Sequence, residues 1–293
     1  MLSLVYRGKN VVIVLLAVGA GVLVPKLGTQ LRPLITPLVI FLVYSSFRDT
    51  DSNSSTIGSY WELLLLFLLL SYGVLPVLGM YIVDLLLSGG TRTGFAIMLA
   101  APTTAGSAIV WTRLSDGEVQ FSTAASITSL FLAPVVTPIL LGHLLSNSGG
   151  VPTLSILTNL AIILGGGALL HVGVPEGWVS KRAMDVSTSA AIMSLIYISI
   201  SGSEISGISP RWFARVFAIS TLLVALGALL VLLLKYALDL SYGEAVSLFF
   251  ITNLKNLGIT VSVSVTYTGP LVVTTIVFYY VFQQVISAMV SDL

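Results

Sequence analysis

The sequence predicts an all-α membrane protein, with ten transmembrane helices in two inverted five-helix repeats. Three observations carry that expectation. Hydrophobic residues make up 56% of the 293 and charged residues only 9%, against about 25% charged in a soluble domain. Apolar stretches near the length of a bilayer span, about 20 residues, recur between polar or Gly/Pro clusters. The fourth and ninth stretches are interrupted near their middles by residues that disfavour helix. This composition, with a net charge of +1, excludes a cytosolic enzyme, a nucleic-acid partner needing a basic footprint and a disordered chain. With no cysteine there is no disulfide, thiolate nucleophile or thiolate metal site. His143 and His171 are too far apart in sequence for the usual metal spacing, so no metal or cofactor is expected.

The spans follow in order. Span 1 covers residues 11–24 and is short, between Arg7/Lys9 and Lys26/Arg32. Span 2 covers 33–47, and a polar loop with Asp49 and Asp51 follows over 48–59. Span 3 covers 61–87 with Pro76 inside it. Span 4 covers 93–114 and is broken around 101–106. Span 5 covers 119–141, and a Ser/Gly/Asn loop is expected over 143–151. Span 6 covers 153–171, span 7 covers 183–200 and span 8 covers 212–238. Span 9 covers 244–266, broken near 253–258, and span 10 covers 270–289. The first apolar stretch lacks a small-residue cleavage site, which predicts no cleaved signal peptide. The short loops predict no appended soluble domain. Trp61, Trp178 and Trp212 fall at span edges and read as interface anchors, and His171 as an interfacial residue.

The spans divide five and five, at 1–147 and 148–293. An odd number per half makes the halves run oppositely through the membrane, with the broken spans 4 and 9 at matching positions. Paired interrupted helices of that kind are the best sequence pointer to a secondary transporter's binding site. On the N-terminal side of the membrane lie Arg7, Lys9, Arg48, Arg113, Lys181, Arg182 and Lys235, and on the other side Lys26, Arg32, Arg92, Arg211 and Arg215. That bias predicts cytoplasmic termini.

Lys255 is the most informative residue. It lies near the middle of span 9, in Asn253-Leu254-Lys255-Asn256-Leu257-Gly258. A lysine at mid-depth costs at least about 2.5–3.5 kcal/mol to insert. It sits roughly 11 residues, or about 16 Å, from either end of the span, too far to snorkel. It must therefore face the protein interior or a wet cavity. Glu62, Asp84, Glu118, Glu204 and Glu244 all fall near span ends, so none is placed to neutralise it. Three options remain: a neutral amine, an ammonium held by carbonyls freed at the break, or one completed by an anionic substrate.

In span 4, Pro102 to Gly106 exposes half-helix ends, with Thr103, Thr104 and Ser107 adding hydroxyls. An N-terminal end there favours anions and a C-terminal end cations. Ser122 and Ser126 lie one turn apart on one face of span 5, followed by Ser129. They line a cavity or serve small-residue packing. Gln283 and Gln284 hold the corresponding place in span 10, and at least one should face inward, because amides are costly in lipid.

Several of these runs resemble the bile acid:sodium symporter superfamily. Ala101-Pro102-Thr103-Thr104-Ala105-Gly106-Ser107, Leu114-Ser115-Asp116-Gly117-Glu118 and Leu132-Ala133-Pro134-Val135-Val136-Thr137-Pro138 are similar to that family's fourth-span break, Gly-Asp loop and fifth-span Leu-Ala-Pro-x-x-Thr-Pro. Lys255-Asn256-Leu257-Gly258-Ile259 resembles its ninth-span signature, and Ser71-Tyr72-Gly73-Val74-Leu75-Pro76 its third-span Gln-Phe-x-x-x-Pro. The resemblance implies a mobile core of spans 3–5 and 8–10 and a panel of spans 1, 2, 6 and 7. Spans 4 and 9 cross at their breaks, with ions behind the crossing and an organic anion in front. Ser107 matches the family's sodium-site serine. Ser122 and Ser126 match its fifth-span hydroxyls, allowing one extra loop residue, and Asn256 matches the asparagine at the crossing.

The departures concentrate on sodium. The family's sodium-site asparagine falls on Ala108, its ninth-span glutamate on Ile251, its ninth-span glutamine on Lys255 and its third-span glutamine on Ser71. An ammonium about 4 Å from sodium costs about 4 kcal/mol at an effective dielectric of 20. The expectation is a secondary active transporter for a small organic anion, working by alternating access and independent of sodium because Lys255 stands in for the cation. Its substrate-site residues would be Lys255, Asn253, Asn256, Thr103, Thr104 and Pro102. Its ion or coupling residues would be Ser107, Ser122, Ser126, Lys255, Gln283 and Gln284. A sodium-coupled symporter and a non-transporting receptor on the same scaffold are the alternatives. No Ser/His, paired-Asp or His-Glu metal constellation sits at mid-depth, so no enzyme is expected. Partners would be the anion and membrane lipid, and the chain a monomer or homodimer. Arsenite carriers share the Val110-Trp111 pair but depend on a cysteine that is absent here.

Overall fold

Helix follows helix in the computed structural model, which describes residues 16–48, 60–146, 152–175, 177–201, 208–264 and 270–291. Among these, residues 16–23 are helical, and then come α1 (Pro25–Gln30), α2 (Ile35–Arg48), α3 (Trp61–Leu86), α4 (Gly89–Ala100), α5 (Ala105–Leu114) and α6 (Val119–Leu144). The second half has α7 (Thr153–Gly173), α8 (Lys181–Ser201), α9 (Pro210–Leu238), α10 (Tyr242–Asn253), α11 (Leu257–Ser264) and α12 (Pro270–Val290). No strand occurs among the described residues. Among the described residues, six helices are long and apolar enough to cross a membrane: α3, α6, α7, α8, α9 and α12. The first part of span 1 and most of the 48–59 loop lie outside the described residues.

Local sequence explains most helix ends. Ser209 accepts a hydrogen bond from the Trp212 N–H ahead of Pro210, a residue pre-set for a first turn. Ser241 and Glu244 form a reciprocal capping box that starts α10. Two expected boundaries shift. Span 4 begins at Gly89 rather than at residue 93, so Arg92 lies within α4, where its guanidinium meets Asp84 at 2.6 Å and the Leu144 carbonyl at 3.0 Å. The loop expected from His143 starts later, because α6 runs on to Leu144 and His143 stays in its last turn, Nδ1 2.9 Å from the Ile139 carbonyl oxygen.

Packing sorts the helices. α2 packs on α7 and α8, and α8 also packs on α1. α4 packs on α12, and α10 on α6. α5 packs on α6, and α11 on α12. The interior holds two apolar clusters. One gathers Phe67 of α3, Trp111 of α5, Phe121 of α6 and Phe250 of α10. The other gathers Leu75 of α3, Phe95 of α4, Leu130 of α6 and Ile259 of α11. The two broken helix pairs each contribute one half to each cluster, so both breaks fall at the boundary between them.

Candidate functional site

The breaks meet at that boundary. Pro102 has no N–H to donate, and it forces Ala101 into extended backbone (ψ 152°) at the end of α4. In α10 the chain becomes extended at Leu254. Asn256 then restarts a helix: its Oδ1 accepts the Ile259 N–H at 3.1 Å, capping α11. The two extended segments pair antiparallel at Thr103 and Lys255. Asn256 N–H donates to the Pro102 carbonyl at 2.9 Å, and Thr104 N–H donates to the Leu254 carbonyl at 3.0 Å. The Thr103 hydroxyl adds a second bond to Leu254 at 2.9 Å. Backbone groups freed by both breaks thus satisfy one another, as a non-aqueous interior demands.

Neighbouring helices complete the crossing. The Gln283 amide bonds both the N–H (3.1 Å) and the carbonyl (3.0 Å) of Lys255. Gln284 accepts from Trp111 Nε1 at 3.0 Å and donates to Ser107 Oγ at 3.1 Å. Adjacent residues of α12 therefore hold both broken pairs, one at the ninth-span break and one at the head of α5. From α6, Ser129 Oγ accepts the Thr103 N–H at 2.9 Å.

The Lys255 side chain is 1% exposed. Its ammonium donates to Ser71 Oγ at 2.8 Å, faces the Ser71 carbonyl oxygen at 3.5 Å and lies 5.8 Å from the centre of the Tyr72 ring. The Tyr72 hydroxyl in turn meets Ser129 Oγ at 2.7 Å. No carboxylate is among the partners of this ammonium in the described residues. The open Ser71 carbonyl has a backbone cause. Leu70–Val74 forms a π-helical turn in which Leu75 N–H donates to Leu70. The α-helical donor for Ser71 is thereby engaged elsewhere, and its π-helical donor would be Pro76, which has no N–H.

The other expected residues fall in several places. Thr103, Pro102 and Asn256 are at the crossing, and Thr104 and Ser107 are half-buried beside it. Asn253 sits apart from that pairing. Its Nδ2 bonds its own helix at Phe249, and its amide packs on Gly227 of α9. Ser122 bonds Thr112 at 2.8 Å. Ser126 Oγ and Thr252 Oγ1 are buried without a protein partner. Ala108 and Ile251, where the resemblance noted above would place a sodium-site amide and carboxylate, are both in the apolar cluster with Trp111 and Phe250. The parts that sequence reading missed are Ser71 and Tyr72 as the ammonium's neighbours. The available signal was Pro76, four and five residues downstream, which frees carbonyls in the preceding turn.

Residues 10–293 match the model of the SBF-like CPA transporter family. Among curated proteins, one of Escherichia coli (strain K12) described as "Putative symporter YfeH" is 24% identical over 202 residues, covering 64% of this chain. The aligned part spans 60% of that relative's length.

Proposed function

The chain belongs to the SBF-like CPA transporter family, and from that premise we propose that it is a sodium-independent secondary transporter of a small organic anion. It works by alternating access around the Thr103–Lys255 crossing. The observation that carries this reading is the buried Lys255 ammonium, held by Ser71 and Tyr72 with no carboxylate partner among the described residues. A fixed positive charge there takes the place of an ion, and a second cation a few ångströms away is repelled. The residues that would have supplied an amide and a carboxylate for sodium, Ala108 and Ile251, are packed among aromatic side chains.

Anion selectivity follows from the local field. α5 and α11 both begin at the crossing, so two helix N-termini add positive potential to that of Lys255. Thr104 and Ser107, half-buried beside the α5 terminus, supply hydroxyls for the substrate. Asn256 caps α11 and holds the crossing rather than the ligand.

The architecture in this reading is ten spans in two inverted repeats, 1–147 and 148–293. Pairwise packing supports it: α4 on α12 mirrors α10 on α6, and α5 on α6 mirrors α11 on α12. The contacts among α1, α2, α7 and α8 support a panel of spans 1, 2, 6 and 7, against which the remaining spans move. Both termini are cytoplasmic, from the Lys/Arg bias. The test has two steps. A thermal-shift screen of purified protein against organic acids, with sodium or choline, finds the ligand, because binding raises apparent stability by mass action. Uptake of that acid into proteoliposomes then proceeds equally in both salts. Uptake that rises steeply with sodium overturns the reading, and binding without flux identifies a receptor instead.

A further inference from the structure

The two half-helices that leave the crossing are not in equivalent surroundings. Every residue of α11 is buried, and the helix packs on α2, α7 and α8 as well as on α12. One face of it meets the panel. Gly258 lies against Val39 and Leu42 of α2, where an added Cβ would stand 3.3 Å from Val39 Cγ1. One turn on, Ser262 receives hydrogen bonds from Asn159 Nδ2 of α7, at 3.1 Å to its hydroxyl and 3.2 Å to its carbonyl. α5 packs chiefly on α6 and α10. Its Gly106, Val110 and Arg113 are exposed at a spacing of one helix face, Val110 by 40%. A Cβ on Gly106 would meet nothing within 4 Å.

From this asymmetry we propose that the structure holds one end state of the transport cycle, closed along α11 and open along α5, with Asn159–Ser262 as the latch on the closed side. The inference rests on the two-repeat reading above, in which α5 and α11 are counterparts. When one is sealed against the panel, the other is withdrawn from it. A polar latch suits that task. Its two hydrogen bonds together are worth about 1–3 kcal/mol over those the same groups make to water once the closed side opens. It therefore selects a register without locking it.

The chain has no cysteine, so single cysteines report on each side without background. Val39→Cys and Val110→Cys are each placed in the full chain in lipid nanodiscs and treated with a hydrophilic thiol reagent. The reagent needs a wet, ionisable thiol, so a lipid-facing position stays unlabelled. In the parent, the cysteine at 110 reacts and the one at 39 is protected. Adding Asn159→Ala then raises the rate at 39 by about tenfold and lowers the rate at 110, the shift expected from losing about 1.4 kcal/mol of hydrogen bonding on one side of a two-state equilibrium. Partial unfolding is distinguished because it raises both rates together and broadens the thermal transition. Equal labelling at 39 and 110 in the parent overturns the state assignment, and unchanged rates with Asn159→Ala overturn the latch. Neither readout needs a substrate, so a failed search for the anion leaves the result standing.

Discussion

Gln283 holds Lys255 by its backbone as a neighbouring β-strand would, accepting from its N–H at 3.1 Å and donating to its carbonyl at 3.0 Å. An extended residue inside a helical membrane protein has both main-chain groups to satisfy, and a single carboxamide satisfies both. The side chain is left free to reach Ser71. The Lys255 ammonium is thus positioned from two directions, by α12 through the backbone and by α3 through the tip.

Gln283→Leu keeps the bulk and removes both bonds. Each buried backbone group left unpaired costs about 1–3 kcal/mol. The expected outcome is a clear fall in Tm and loss of transport. Gln284→Leu, which strands Trp111 Nε1 and Ser107 Oγ instead, lowers Tm less, since Ser107 is half-exposed to other partners. Thermal denaturation of the purified variants ranks the two.

Lys255→Ala abolishes flux while the protein still inserts and purifies. Lys255→Met fills the space and removes a desolvated charge, which offsets the cost of leaving the Ser71 hydroxyl and carbonyl without their donor. Unchanged or raised Tm together with lost uptake is the expected pair of results for Met. Flux at the parent level in either variant takes Lys255 out of the mechanism.

Pro76→Ala restores an N–H at the position where the bulge ends and permits a regular helix through Leu70–Val74. Straightening that turn re-engages the Ser71 carbonyl and rotates Ser71 and Tyr72 relative to the ammonium. Transport is expected to fall by about tenfold or more, equivalent to 1.4 kcal/mol, which is within the worth of a charge-assisted hydrogen bond. The helix itself becomes more regular. Ser71→Ala gives the same direction with an intact bulge, and initial uptake rates measure both.

Ser126→Ala and Thr252→Val delete buried hydroxyls that have no protein partner. Removing an unpaired polar group is neutral or stabilising by up to about 1 kcal/mol. Ser122→Ala, by contrast, breaks the 2.8 Å bond to Thr112 and destabilises. If Ser126 served a sodium ion instead, its replacement would leave Tm alone and change the salt dependence of uptake. Paired Tm and uptake measurements in sodium and choline separate the two outcomes.

Much of this was legible in the chain. Pro102 and the Asn253–Gly258 run announced two interruptions, and the cost of a mid-span lysine announced that it faces inward. These are local facts: a missing N–H, a cap, a charge in the wrong solvent. Ser122, Ser126 and Asn253 were also visible as polar residues at depth, but sequence could not say whom they touch. Asn253 turned to its own helix and to Gly227, because which face of α10 meets the crossing depends on how α10 packs on α9 and α6.

Hydropathy and helix-breaking residues, which act over a few positions, by themselves determined that the chain is helical, membrane-embedded and broken twice. Only the tertiary structure decided what the breaks do. Thr103 and Lys255 are 152 positions apart, and the residues flanking them exchange the main-chain bonds of the crossing, Asn256 to Pro102 and Thr104 to Leu254, so that groups freed by one break satisfy groups freed by the other in the absence of water. The ammonium's neighbours came from a third helix, through a bulge whose open carbonyl faces a lysine 184 residues further along the chain. No local rule carries over such separations, because the free energy that fixes them belongs to the packed interior as a whole.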